Sequence, residues 1–176
     1  MEQKIAKAEK QLVVFNLGKE VYAVDISIVR EIIHIQAITQ VPGTPHSVEG
    51  VINLRGSIIP IVDLRKRFRL NAVDKDKNTR IVVVNCKGQD VGVIVDSVAE
   101  VLRIPVDSIE PAASLFTNEH LEHLLGIVKL TGKLVILLDM DQVLNRQEMV
   151  ALSSKEAFSR NNGRQDGLPA GTATAR

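Results

Sequence analysis

The residues of this sequence that could carry chemistry are two histidines and one cysteine. His120 and His123 lie three positions apart in TNEHLEHLLG, a predicted short helix that Thr117 or Asn118 would cap. This spacing can present two imidazoles to one metal ion, but a solvent-facing helix surface is the favoured interpretation. Cys86 follows an aliphatic run typical of a buried strand, and an apolar setting raises a thiol's pKa and makes it unreactive.

A basic run, RKRFR (Arg65–Arg69), could contact phosphate, and small β-barrels do bind nucleic acid. The net charge is only +1 and aromatic residues make up 3% of the chain, so base stacking is not favoured. A nucleic-acid-binding barrel therefore remains the alternative from a different class, and a solvated basic surface is preferred. The sequence also lacks nucleophile, phosphate-loop and zinc motifs, so we predict no enzymatic activity, no metal and no cofactor.

The bulk features indicate a soluble, cytoplasmic protein. A lone cysteine fits a reducing compartment. The N-terminus, MEQKIAKAEK, has no apolar signal region, and no apolar run approaches the roughly 18 residues needed to span a bilayer.

The elements that position these residues come from one unit that occurs twice, over residues 12–64 and 81–140. Gly50–Leu64 (GVINLRGSIIPIVDL) shares four of its fifteen positions with Gly126–Met140 (GIVKLTGKLVILLDM). Upstream, Leu12–Ile32 matches Ile81–Val101. Two copies are too few for a solenoid, so a pseudo-symmetric pair of small β units is predicted.

Each copy consists of short Val- and Ile-rich runs separated by turn signals, as expected of strands joined in hairpins. In the turns Arg55-Gly56 and Thr131-Gly132, glycine in the second position is predicted to supply a positive φ. Five strands per copy suggest two small barrels. Asp63 and Asp139 each end a predicted strand before a helix-like pattern, so both are predicted helix N-caps. The second pattern predicts a C-terminal helix. Residues 65–78 form a predicted linker, and residues 160–176 a predicted disordered tail.

The matched turns carry Asn53, Arg55 and Ser57 in the first copy and Lys129, Thr131 and Lys133 in the second, so Arg55 aligns with Thr131. Divergence inside a matched framework is where each half could have taken its own partner, and arginine is favoured at interface hot spots. A solvated turn arginine is the alternative.

The segment VEGVINLRGSIIPIVDLRKRF, with LVVFNLGKEVYAVDISIVREI and VGVIVDSVAEVL, closely resembles the CheW family of bacterial chemotaxis coupling (adaptor) proteins. The resemblance covers residues 10–152, with residues 1–9 as an N-terminal extension. It implies an all-β fold of two pseudo-symmetric five-stranded SH3-like barrels, each copy forming one barrel around an intertwined core. It also implies a non-enzymatic scaffold that is a monomer when free.

The resemblance further implies partners and sites. The family couples the cytoplasmic tip of transmembrane chemoreceptors to the regulatory domain of the histidine kinase CheA, which would recruit the chain to receptor arrays. An adaptor of a parallel pili or gliding pathway remains open. Receptor-binding positions that match the family are Val29, Glu31, Arg55 and Ile81. Kinase-binding positions that match are Val98 and Val101.

Overall fold

The computed structural model describes residues 7–117 and 121–144. The described elements are eleven strands, β1 (Glu9–Leu17), β2 (Glu20–Asp25), β3 (Val29–His34), β4 (Val48–Leu54), β5 (Ser57–Asp63), β6 (Arg80–Cys86), β7 (Gln89–Val95), β8 (Ser97–Pro105), β9 (Ile109–Pro111), β10 (Leu124–Leu130) and β11 (Lys133–Leu138), with three short helices, α1 (Leu64–Arg67), α2 (Ala112–Leu115) and α3 (Met140–Val143). Two 3-10 turns, Ile26–Ile28 and Val106–Ser108, precede β3 and β9.

Two-residue turns join the predicted hairpins. The β4–β5 turn is Arg55-Gly56, and both residues have positive φ, 51° and 87°. The β6–β7 turn, Lys87-Gly88, has the same geometry, with φ of 51° and 82°. Such turns match the twist of the strands that they connect, so the glycines act as the sequence predicted. Arg55 itself also adopts the left-handed conformation.

The strands form two sheets, each built from both copies. One sheet has the order β8-β1-β2-β11-β10-β9 and the other β3-β6-β7-β5-β4. The β1–β2 hairpin of the first copy therefore lies among strands of the second copy, and the β6–β7 hairpin lies among strands of the first. The prediction that each copy forms its own barrel is wrong at this point, because the two matched hairpins exchange places. The mostly β fold itself is confirmed.

The core has three parts, and β1 and β6 each contribute to two of them. Alternate residues of a strand face opposite sides, so Val13 packs in the seam between the sheets and Leu12 inside the six-stranded sheet. In β6, Val82 packs in the same seam and Ile81 inside the five-stranded sheet. The seam therefore joins the two sheets through one continuous apolar cluster.

Both predicted N-caps are confirmed. The Asp63 carboxylate accepts a hydrogen bond from the Arg65 amide at 2.9 Å, at the start of α1. The Asp139 carboxylate accepts from the Asp141 amide at 3.1 Å, at the start of α3. Of the predicted C-terminal helix, the structure describes the first turn, α3. The remainder and the predicted tail, residues 160–176, lie outside the described residues.

Candidate docking surfaces

An ion pair joins the two ends of the five-stranded sheet. Glu31 lies on β3 and Arg55 in the β4–β5 turn, at opposite ends of the strand order, and yet their side chains are in contact. The sheet must therefore curl until its first strand meets its last hairpin. The Arg55 side chain is 71% exposed, whereas Glu31 is 28% exposed. The guanidinium is thus held in one place and still available to a partner.

The six-stranded sheet carries a corresponding pair that sequence analysis missed. Glu100 on β8 forms an ion pair with Lys133 at the start of β11, with 3.2 Å between Lys133 Nζ and Glu100 Oε1. Glu100 matches Glu31 in the duplicated sequence, but Lys133 matches Ser57 rather than Arg55. The glutamate that both copies share was the sequence feature that could have indicated this ion pair. In the second copy the cation lies two residues further along the chain, at Lys133 instead of Thr131. The six-stranded sheet therefore has its own ion pair although Thr131 is uncharged.

The remaining receptor positions differ in accessibility. Val29, at the start of β3, is half-buried against the seam. Ile81 has 0% exposure and packs inside the five-stranded sheet with Ile61 and Ile94. Because β6 lies in the interior of the strand order and turns Ile81 inward, this side chain is not on the accessible surface, and its expected role in receptor binding stays a prediction.

The two kinase positions lie on β8. Val101 is 54% exposed and lies opposite Val13 on β1. Val98 lies opposite Phe15 and is half-buried against the seam. Val101 matches Ile32 of the first copy, which is 40% exposed. Each sheet therefore presents an aliphatic side chain at this matched position.

Three of the four cations in the basic run after Asp63 are engaged within the molecule, so the run is not the fully solvated surface that was predicted; Arg69 is exposed. Arg65 donates two hydrogen bonds to the Asp96 carboxylate, at 2.6 and 2.5 Å, and a third to the Asn71 carbonyl. Lys66 pairs with Glu49 at 2.5 Å, and Arg67 donates to the Val143 carbonyl at 2.6 Å. These cations are therefore occupied, which weakens the nucleic-acid alternative.

Neither cysteine nor histidine chemistry is favoured by the surroundings. Burial, with smaller effects of Asp141 and Asp139, raises the pKa of the Cys86 thiol to about 12. His123 lies in a turn against the Phe68 ring, and burial followed by the Arg67 charge lowers its pKa. The predicted histidine helix falls partly on residues 118–120, outside the described residues.

Within residues 7–117 and 121–144, no group of three histidine, cysteine or acidic side chains is arranged to hold a metal ion. Among the same residues, no helix is long and apolar enough to cross a membrane.

The two sheets exchange hairpins, and each carries a surface ion pair beside an exposed aliphatic side chain. These features are those of a β scaffold for protein recognition. The CheW-like domain model matches residues 11–148. The chain belongs to the CheW family, a family of non-enzymatic chemotaxis scaffold proteins.

Similar proteins agree over most of the chain. The chemotaxis protein CheW of Klebsiella aerogenes is 36% identical over 145 residues, which cover 82% of this chain and 87% of that protein. The CheW of Bacillus subtilis is 34% identical over 147 residues, covering 84% and 94%. The crystal structure of the scaffolding protein CheW of Thermoanaerobacter tengcongensis superposes with a TM-score of 0.73 at 40% identity, covering 80% of this chain and 96% of that one.

Proposed function

We propose that this chemotaxis scaffold couples the cytoplasmic tip of a transmembrane chemoreceptor to the regulatory domain of a CheA-type histidine kinase, and that these partners recruit it from the cytoplasm to receptor arrays. The carrying observation is that the duplicated fold offers two matched surfaces that differ in the cation beside them, Arg55 on one and Lys133 on the other. One lies on the five-stranded sheet, at Glu31 and Arg55. The other lies on the six-stranded sheet, at Val98 and Val101. One scaffold can therefore hold two different proteins.

The receptor surface consists of Val29, Glu31 and Arg55. The guanidinium of Arg55 is 71% exposed although it is already paired with Glu31. An arginine has five N–H donors, so donors remain for a carboxylate or carbonyl on a receptor helix. Val29 adds apolar surface beside the seam. Ile81 supports this surface from within, because it lies opposite Ile33 of β3.

The kinase surface is centred on Val101, with Val98 at its buried edge. An exposed β-branched aliphatic on a strand is a suitable apolar centre for a sheet-to-sheet contact. It lies on a different sheet from the receptor surface, so both partners can bind at once.

Two single variants test this division of labour by calorimetric titration. Arg55→Ala should weaken binding to a receptor cytoplasmic fragment by about tenfold or more, as expected for a hot-spot arginine, and leave kinase binding unchanged. Val101→Asp should weaken binding to the kinase regulatory domain and leave receptor binding unchanged. Thr131→Ala, in the matched turn, is the control for Arg55→Ala.

The proposal requires that each variant weakens binding to one partner and leaves binding to the other unchanged. If either variant lowers both affinities together with the melting temperature, the residue is structural and the surface is wrongly assigned. If the wild-type chain binds neither fragment but binds oligonucleotides with a steep salt dependence, the coupling function is wrong.

A further inference from the structure

A groove lined by lysines lies between two hairpin turns of the six-stranded sheet. Strands β2 and β11 run parallel, with Val21 opposite Val135. The β1–β2 and β10–β11 turns immediately precede these strands, so they lie side by side. Between them is a cavity of about 590 Å³. We call it the lysine groove, and its lining residues are Lys19, Glu20, Val21, Lys129, Leu130, Gly132, Lys133 and Leu134.

The charge of this groove is mainly positive. Lys133 is paired with Glu100, but both side chains keep 40% or more of their exposure. In the described part of the chain, Lys19 and Lys129 have no carboxylate within ion-pair distance. Glu20 is the single acidic lining residue. The lining also contains the apolar residues Val21, Leu130 and Leu134, and Leu134 is 56% exposed.

The matched place on the other sheet shows that the fold does not need these lysines. There β7 and β5 run parallel in the same way, with Gly92 opposite Ile61. Leu54, Gly56 and Ile58 match the groove's Leu130, Gly132 and Leu134, so the framework is retained. The positions of its three lysines are instead taken by a glycine, an asparagine and a serine: Gly88, Asn53 and Ser57.

The groove adjoins the strand that carries the proposed kinase surface. Lys133 contacts Glu100 on β8 at 3.2 Å, and Glu100 precedes Val101 on that strand, with the two side chains on opposite faces. Because β8 is an edge strand of its sheet, a protein that covers Val101 reaches the ion pair and the groove by extending over that edge.

We infer that the lysine groove binds an acidic segment of the partner that docks at Val98 and Val101, with an aliphatic side chain of that segment on Leu134. This inference rests on the proposed function. The three lysines attract carboxylates, and the apolar part of the lining favours contact with an aliphatic residue. A free phosphate has no apolar group to make that contact. The lining contains no aromatic residue on which a nucleic-acid base could stack.

The test is the double variant Lys19→Glu/Lys129→Glu, titrated against the kinase regulatory domain at low and high salt. A single exposed ion pair contributes little, so the variant reverses two charges at once. Together they should lower the affinity by about tenfold at ~0.05 M salt. At ~0.5 M salt the difference should shrink to about twofold, because the ions screen exposed charges. The matched control, Lys77→Glu/Lys87→Glu, changes the net charge equally outside the groove and should bind like the wild type.

The outcomes separate the two proposals. If the wild type binds the kinase domain and Val101→Asp does not, but the groove variant binds normally, this inference is wrong and the proposed function stands. An equal loss in the control variant also overturns it, since the effect is then one of net charge. If the wild type fails to bind the kinase domain, both proposals fall. Groove-dependent binding to anionic lipid vesicles, with kinase binding unchanged, assigns the groove to a membrane surface and overturns the protein partner.

Discussion

Arg55 combines an unfavourable backbone conformation with an exposed side chain. Its φ of 51° is a region in which asparagine and glycine are favoured over arginine. Its ion pair with Glu31 is exposed on one side, and such pairs contribute about 0–1 kcal/mol. Neither the backbone nor the pair gives folding a strong reason for an arginine here, which is consistent with a role in recognition.

The substitution Arg55→Asn tests this at the residue scale. Asparagine suits the first position of this turn, so the melting temperature should stay within a few degrees of wild type or rise. Receptor affinity should nevertheless fall, because the guanidinium is lost. Thermal denaturation and receptor titration of the same preparation measure both. A variant that melts well below wild type would show that the Glu31 pair holds the sheet closed.

Cys86 should be chemically silent in the folded protein. Its thiol has 0% exposure and a pKa of about 12, so neither access nor the thiolate form is available near neutral pH. A thiol-reactive chromophore at pH 8 should label the native chain at the rate of unfolding and the unfolded chain at once. Rapid labelling of the native chain would place Cys86 outside the seam.

At the scale of elements, Gly50 and Gly126 hold matched positions where another segment crosses. A Cβ on Gly50 would lie 2.0 Å from the Thr39 carbonyl oxygen, and one on Gly126 would lie 2.5 Å from that of Glu110. Both positions coincide with an irregularity in strand pairing. Gly50 and Gly126 therefore permit close approach of backbone, which the turn glycines do not, and Gly50 also has a positive φ of 146°.

Two glycine substitutions distinguish these reasons. Gly50→Ala should lower the free energy of unfolding by about 3 kcal/mol, because the new Cβ meets a backbone oxygen that has little freedom to move and because the φ of +146° is strained for alanine. Gly56→Ala introduces a Cβ with nothing within 4 Å, at a φ of +87°, so only the conformational cost of about 1–2 kcal/mol applies. Urea denaturation compares them. Equal losses would mean that the Thr39 segment moves aside.

Arg65 and Asp96 connect three elements. Asp96 follows β7, accepts hydrogen bonds from Arg65 after β5, and accepts another from the Gly18 amide in the β1–β2 turn at 2.8 Å. Burial raises the pKa of Asp96, but the hydrogen bonds from Arg65 and Gly18 outweigh it, so the net shift is downward. The contact ties one sheet's turn to the other sheet.

This shift predicts a sign for pH dependence. A carboxyl whose pKa is lower in the folded state contributes stability that is complete above its ordinary pKa of 3.8 and is lost as pH falls through the folded value. Asp96→Asn should therefore be less stable than wild type at pH 7, and the difference should narrow at pH 2–3. Urea denaturation at both pH values measures it. A difference that widens in acid would contradict the assignment.

At the scale of the whole molecule, the exchange of hairpins makes each sheet depend on both copies. The seam contains buried residues of β1, β2, β6 and β7 in one cluster. Neither copy can complete a sheet alone, since its hairpin would lack neighbours. The two sheets should therefore unfold as one cooperative unit.

Two intrinsic probes can test that cooperativity. The single tyrosine, Tyr22, is on β2 in one sheet, and the single cysteine, Cys86, is on β6 in the other. Tyrosine fluorescence and cysteine accessibility should give the same urea midpoint. A separate fragment of residues 1–78 should remain unfolded by circular dichroism. Distinct midpoints, or a folded fragment, would mean that the sheets are independent.

The sequence by itself determined the features that depend on neighbouring residues. Short runs rich in Val and Ile predicted most of the strands, turn glycines predicted the hairpins, and Asp63 and Asp139 were correctly identified as N-caps. These signals act over a few residues, so they can be found without knowing what packs where. The NLRG segment similarly carried the family resemblance, which the matching domain model confirms.

Only the tertiary structure decided which strands share a sheet, because matched copies offer nearly equivalent pairing partners. Pairing within a copy and exchange between copies satisfy the same local pattern, and the choice depends on packing of the whole. The same reason applies to individual side chains. Ile81 and Glu31 both lie on strands, yet one is enclosed and the other reaches a distant turn. Lys133 became visible as the partner of Glu100 only once the sheet had curled to bring β8 and β11 together.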